Sequence, residues 1–208
     1  MPLIFPDSAL AHHYLDGLSG IEIGAAMHNP FNIPGCKFVD RTDNPNDVFK
    51  QASVKLCGQL NPVDYVAEGD DLPFEDGTWD YVLSSHVLEH FFDPIKALKE
   101  WYRVLKPGGY IFMIVPKADS APGEDRPPAS LQELIDRHEG RIKPEEVYMG
   151  GFTSVIEAPD VPLGEHGHWA VYSLDSLFSL CRYLGYRILD WEESDTKVGN
   201  GHTIVIQK

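Results

Sequence analysis

Basic residues are scarce in this chain. Only 17 lysines and arginines stand against 32 aspartates and glutamates, a net charge of −15 at pH 7 with histidine neutral. A field of that sign repels phosphate backbones and anionic lipid surfaces, so no nucleic-acid partner is expected. Cysteine is sparse as well. Cys36, Cys57 and Cys181 are odd in number and widely spaced, which argues against a disulfide framework or a CxxC metal site and for buried free thiols. Long apolar runs are missing: the longest, Tyr110 to Pro116, falls well short of the ~20 residues that a membrane helix needs. Met1 to Pro6 is too short and uncharged for a signal peptide, and the expectation is a cytoplasmic protein without a membrane span. Internal repeats and low-complexity tracts are absent. What remains, 43% hydrophobic and 24% charged over 208 residues, predicts one globular domain spanning 1–208 with room for a small insertion.

Short β-rich runs alternate with helical patterns through the first half, the signature of a parallel sheet with crossover helices. Strands are expected at Gly20 to Gly24, Lys37 to Arg41, Asp64 to Ala67, Asp80 to Ser84 and Gly109 to Val115. Helices are expected at Asn44 to Leu60 and Asp93 to Leu105; in the second, Ile95, Leu98, Tyr102 and Leu105 recur at helical spacing until Lys106-Pro107-Gly108-Gly109 stops it. About 117–172 reads as an excursion or cap outside the sheet, rich in Pro, Asp and Gly at its start, with one clear helix at Ser130 to His138. A last helix, Ser173 to Leu184, precedes two β-rich runs, Tyr186 to Trp191 and His202 to Gln207, which should pair as an antiparallel hairpin. The fold class is therefore α/β, a mostly parallel sheet with a C-terminal antiparallel hairpin.

In such a sheet the ligand lies beyond the carboxyl ends of the strands, where strand order reverses. After the first strand comes Glu22-Ile23-Gly24-Ala25-Ala26-Met27-His28. Gly24 permits a tight turn there, and the small alanines let a ligand approach the backbone. The G-x-G-x-x-G fingerprint is absent, which tells against a nicotinamide-dependent oxidoreductase. The second strand ends in Asp40, sixteen residues after Gly24, near where an acid accepts hydrogen bonds from a ribose diol. From Asp64 to Asp93 there are nine carboxylates and no lysine or arginine, walls that would favour a cationic ligand over bare phosphates.

From Asp64 to Pro116 the sequence resembles the small class I S-adenosylmethionine-dependent methyltransferases. The matching pattern is an acid, Leu72-Pro73-Phe74, Asp76-Gly77, an aromatic and Asp80, an apolar strand, Ser84 through Val87-Leu88-Glu89-His90, then Val104-Leu105-Lys106-Pro107-Gly108-Gly109, with Thr78 as one extra residue. The resemblance implies a Rossmann-like methyltransferase fold and S-adenosylmethionine as cofactor. It places Glu22, Gly24 and Ala25 at the methionine part, Asp40 with neighbouring Arg41 at the ribose, and Glu68, Gly69, Asp70, Asp71 and Leu72 around the adenine. Ser84, Ser85 and His86 would line the sulfonium side. The chain departs from the family in its reduced glycine motif and in the short link between the first two strands, too short for the usual helix.

Methyl transfer is an in-line displacement that needs a base only if the acceptor arrives protonated. A histidine of near-neutral pKa suits an O-methyl transfer, and His86 and His90 lie just past the fourth strand. His86 is expected to face the cleft and His90 to be structural. Glu165-His166-Gly167-His168-Trp169 is a second constellation, whose two histidines flank one residue and with Glu165 could bind a divalent metal or supply a base. No cysteine or third histidine lies nearby in sequence, so no metal site is assigned. A similar His-x-His-aromatic element, with a preceding Asp-Arg-Pro loop, occurs in methyltransferases associated with cell-surface glycans; here that loop is Gly123 to Pro128. This second, weaker resemblance implies a sugar or glycan hydroxyl as acceptor and Arg126 as an anion contact. From the residues themselves, Trp169 is a candidate pocket wall, and His86, His166 and His168 are the candidate catalytic residues for a small-molecule or glycan hydroxyl. The competing expectation is a methyltransferase-like domain that binds a ligand or partner without turnover.

Overall fold

Seven strands form one sheet in the order β3-β2-β1-β4-β5-β7-β6. The computed structural model describes residues 1–25, 31–118, 120, 126–147 and 167–208. The strands are β1 (Gly20–Ile23), β2 (Lys37–Asp40), β3 (Tyr65–Val66), β4 (Trp79–Ser85), β5 (Leu105–Pro116), β6 (Arg187–Glu192) and β7 (Gly201–Gln207). The first five pair in parallel, while β7 runs antiparallel between β5 and β6. The chain moves from β1 outward to β3 and then returns to place β4 on the other side of β1, so strand order reverses between β1 and β4. A ligand crevice opens at such a reversal.

Alternation along the strands divides the core. Ile21, Ile23, Val82, Ile111, Met113, Ile204 and Ile206 face one layer, built from α3 (Pro94–Val104), α4 (Leu131–His138) and α5 (Leu174–Tyr183). Tyr81, Leu83, Phe112, Ile114 and Val205 face the other, with Ala11 and Leu15 of α1 (Ala9–Leu15). Period-2 alternation with both faces covered is what a three-layer α/β domain requires. Trp101 of α3 is fully buried, and its indole N–H donates to the Gly69 carbonyl at 2.7 Å, tying the loop after β3 to the helix layer.

The antiparallel hairpin and the parallel sheet match the sequence expectation, with shifted bounds. The expected helix over Asn44 to Leu60 is shorter, α2 (Val48–Cys57), because Asp47 caps it by accepting the Phe49 N–H and Asn44 is used in a turn that accepts the Asn46 N–H. Lys106-Pro107-Gly108-Gly109 does not separate helix from strand: β5 begins at Leu105 and absorbs the breakers in a bulge, Trp79 pairing with Leu105 and Tyr81 with Tyr110. The sequence reading assigned no element to α1, a seven-residue helix with a single pair of buried positions four apart. Within the expected excursion, α4 packs against α3 and α5. No helix among the described residues is long and apolar enough to cross a membrane. Cys57 and Cys181 are buried free thiols and Cys36 is half-buried; burial pushes Cys181 and Cys36 up to about 12.

Candidate active site

The carboxyl ends of β1, β2 and β4 lie side by side, with Ile23 in register with Val39 on one side and Ser84 on the other. Gly24 follows directly, at φ +69°, and a Cβ there would stand 2.7 Å from Val87 Cγ2. Glycine alone fits both the left-handed turn and the close approach of the segment after β4. Ala25 is buried, and its carbonyl accepts a hydrogen bond from the Asn61 amide. Asp40 ends β2, and Glu68 opens the loop after β3. Gly69 in that loop is packed against Ile23 and Phe91, so the loop is held down on β1. Ser84 and Ser85 end β4, and their buried hydroxyls have no hydrogen-bond partner among the described residues.

The acids expected at the cleft are engaged to different degrees. Asp40 Oδ2 receives the buried Lys50 ammonium at 3.0 Å, and Oδ1 accepts the Thr42 N–H at 3.4 Å. Arg41 turns to Asp47, 2.5 Å away, and Asp70 to Lys96 at 2.9 Å. Leu72 is buried and its N–H donates to Glu100 at 2.7 Å, while Glu68 and Asp71 are exposed. Glu22 is buried in the middle of β1. Burial raises its carboxyl well above the usual carboxylate range, against the downward pull of the Lys197 ammonium and of the Phe31 N–H. Lys197 reaches this position from the β6–β7 turn, its ammonium 4.3 Å from the centroid of the Phe31 ring. That turn is built on Asp195, whose carboxylate accepts the N–H groups of Lys197, Val198, Gly199 and Gly201 at 2.5 to 3.0 Å.

Next to the β4 end, three imidazoles gather around one carboxylate. Glu89 lies in a single 3-10 turn, Leu88–His90, and is 1% exposed. Its Oε1 is 3.9 Å from His86 Nδ1, 3.8 Å from His90 Nε2 and 4.0 Å from His168 Nε2. His86 has φ +57°, uncommon for a side-chain-bearing residue, and its N–H donates to Ile114 across the sheet. Burial pushes the His86 imidazole down to about 4, with Asp195 and the Asn200 side chain pulling it up and His168 pushing it down. It is therefore neutral at pH 7 and a weaker base than the near-neutral histidine the sequence suggested. The segment carrying His168 is pinned where it passes: Trp169 N–H donates to the Glu89 carbonyl at 2.8 Å, and Arg126 donates to the His168 carbonyl at 2.9 Å. Arg126 thus holds a backbone carbonyl of this segment, and Trp169 meets Phe92 edge to face at 5.3 Å. His166 and Glu165 lie outside the described residues.

Residues 36–113 match the family model described as a methyltransferase domain. An uncharacterized protein of Methanocaldococcus jannaschii is 34% identical over 119 residues, 56% of this chain and 53% of its own length. A ubiquinone/menaquinone biosynthesis C-methyltransferase of Haemophilus ducreyi is 45% identical over 62 residues, 29% of this chain and 24% of its own. The fold is shared with the Burkholderia thailandensis 1,6-didemethyltoxoflavin-N1-methyltransferase, solved with S-adenosylhomocysteine, at TM-score 0.59 and 16% identity over 97% of this chain and 76% of that one. Residues 36–113 thus carry a methyltransferase-domain pattern, and the chain shares its fold with S-adenosylmethionine-dependent methyltransferases. It spans about half the length of the Methanocaldococcus relative and a quarter of the Haemophilus one.

The cofactor of class I methyltransferases is S-adenosylmethionine, and the strand ends fit it in three respects: the Gly24 turn, the two partnerless hydroxyls of Ser84 and Ser85, and a buried acid at Glu22. Sequence reasoning did not single out Lys50, Lys197 or Asn200 here; it expected His90 to be structural, and His90 Nδ1 faces the Gly167 carbonyl. Only Glu89-His90 carried a signal, being part of the family string. Nothing in a turn reading Asp195-Thr196-Lys197-Val198 announces a lysine reaching β1 across the sheet.

Proposed function

We propose that this methyltransferase transfers the methyl group of S-adenosylmethionine to an oxygen of a small acceptor, a sugar or glycan hydroxyl. The observation that carries the reading is the neighbourhood of two sites: the β1–β4 strand ends with Gly24, Ser84 and Ser85, and the histidine cluster that begins one residue later at His86. Glu22, Gly24, Ala25, Ser84 and Ser85 hold the methionine part, Asp40 through its Oδ1 the ribose, and the Glu68 to Leu72 loop the adenine. The cofactor supplies a methyl group on a cationic sulfur, ready for in-line displacement. The chain's task is to hold an acceptor oxygen behind that methyl group and keep water out. His86, neutral at pH 7, hydrogen-bonds and orients the acceptor, and His168 and His166 are the candidates to accept its proton. A relative named for a carbon acceptor matches in sequence and one named for a nitrogen acceptor shares the fold; the oxygen assignment rests on the imidazoles, which suit an acceptor hydroxyl that arrives protonated.

Calorimetric titration with S-adenosylhomocysteine tests the cofactor half. Binding by wild type, weakened in Asp40→Ala and Glu68→Ala, is the expected result, and its absence in folded, ligand-free protein overturns the reading. Transfer of isotopically labelled methyl to a panel of sugars tests the acceptor half, with an O–CH3 signal by NMR as the expected product and exclusive C- or N-methylation as the contrary one. A second reading, binding without turnover, is favoured by the lysines already placed on Asp40 and beside Glu22. Cofactor binding with no transfer to any acceptor would support it.

A further inference from the structure

We propose that Glu89, His90 and His168 form a binding site for a divalent transition-metal ion of the zinc or cobalt kind. The three donor atoms, one carboxylate oxygen and two imidazole nitrogens, all lie within 4.8 Å of one another. Tetrahedral zinc, with bonds of about 2.0–2.1 Å, sets its ligand atoms about 3.4 Å apart. Glu89 Oε1 stands 3.8 Å from His90 Nε2 and 4.0 Å from His168 Nε2, so these two edges close with shifts of a fraction of an ångström, and rotation of the imidazoles brings the third, within 4.8 Å, to the same span. His90 is also oriented as a ligand. Its Nδ1 faces the Gly167 carbonyl at 3.2 Å; a proton on Nδ1 donates there, which turns the Nε2 lone pair towards Glu89, as the outer hydrogen bond of a metal-bound histidine does.

The backbone holds the ligands independently of any ion. The 3-10 turn supplies Glu89 and His90 as neighbours, and the Trp169 N–H on the Glu89 carbonyl fixes the segment that brings His168, 79 residues after Glu89 in sequence. Two imidazoles and one carboxylate suit zinc, cobalt or manganese better than calcium or magnesium, which take oxygen ligands. Three protein ligands leave a position open for an oxygen. His86 Nδ1, 3.9 Å from the same Glu89 oxygen, stands beside that position. Resting on the transferase reading, the oxygen that fills it is the acceptor hydroxyl, and His168 then acts as a ligand and not as a base.

The test uses the full chain stripped with chelator. Titration with Co2+ alone should give one equivalent per chain and a visible absorption band, which Zn2+ displaces, and Zn2+ should raise the Tm of wild type. Glu89→Gln and His168→Ala should each weaken binding about tenfold or more, with His168→Asp recovering part of it. His12→Ala, at the exposed His12–Asp16 pair, should leave binding unchanged. Substoichiometric Co2+, or binding that survives both Glu89→Gln and His168→Ala, overturns the site. Should those variants fail to fold, the wild type decides, since a Tm indifferent to Zn2+ also overturns it. S-adenosylhomocysteine is titrated in parallel on the metal-free protein: its binding without metal binding defeats this site and spares the transferase, and the reverse defeats the transferase and spares the site.

Discussion

Around β2, β3 and α3 five acids meet a cation: Asp40 with Lys50, Asp64 with Lys37, Asp70 with Lys96, Glu100 with Arg103, Asp80 with Lys106. Past the end of β4, one buried carboxylate, Glu89, is surrounded by the imidazoles of His86, His90 and His168. The difference lies in what each arrangement leaves available. Pairwise ion pairs satisfy both members and fix geometry, with little left over for a ligand. Three imidazoles within 4.0 Å of one carboxylate oxygen bring several titratable and metal-ligating groups together, which is the condition for chemistry. The run of nine carboxylates from Asp64 to Asp93 therefore looks more negative as a sequence than it is as a surface, because β2, α3, α4 and β5 bring cations or a histidine to five of them.

Breaking the paired side should cost most where the pair is buried. Lys50→Met leaves Asp40, 13% exposed, without its cation; the expected loss is about 3 kcal/mol in urea unfolding, and Asp40→Asn added to it should recover much of that. Asp195→Ala removes the acceptor of four backbone N–H groups and the turn that carries Lys197; roughly 2–3 kcal/mol should be lost, and the Glu22 side of the cleft should lose its ammonium.

The same residue gives a pH test. Burial raises the Asp195 carboxyl, but the four N–H donors prevail and hold it below its ordinary value of 3.8. A depressed carboxyl contributes stability that is fully present above that unfolded value and fades as pH falls through the folded one. Wild type should therefore lose stability relative to Asp195→Asn only below about pH 4, read as Tm against pH.

Gly24→Ala puts a Cβ 2.7 Å from Val87 Cγ2 at a left-handed backbone, at an expected cost of about 1–2 kcal/mol, together with weaker S-adenosylhomocysteine binding by calorimetry. At the small end, Asp76→Asn breaks the pair with Arg103 where the acid is 81% exposed, and a change within about 0.5 kcal/mol is expected. An Asp76 effect as large as that of Lys50 would show that exposed and buried pairs here are not distinct, and would remove the basis of the comparison.

Legibility follows locality. Strand alternation, the α3 stripe of Ile95, Leu98 and Tyr102, and the antiparallel hairpin at the end are patterns within one segment, and each is in the fold, though Leu105, read as the end of that stripe, opens β5. The strand-end residues Gly24, Asp40 and Ser84 were also legible, because the rule that ligands sit at carboxyl ends needs only the strand assignments. The short helix α1 was not, since seven residues carry too little periodicity to stand out. Nor was the partner of Asp40: Lys50 lies ten residues on in α2, and a lone lysine in a helix is ordinarily read as a solvated residue.

By itself, the sequence determined the layered α/β class, the strand-end positions of Gly24, Asp40 and Ser84, the methyltransferase-domain pattern of residues 36–113 and a strongly acidic charge balance, all properties of composition or of short, contiguous patterns. Tertiary structure alone decided which acids are neutralised and which histidines converge. Both depend on distances between residues tens of positions apart, Glu22 with Lys197 and Glu89 with His168, and those distances are set by how strands and helices stack, which no local pattern encodes.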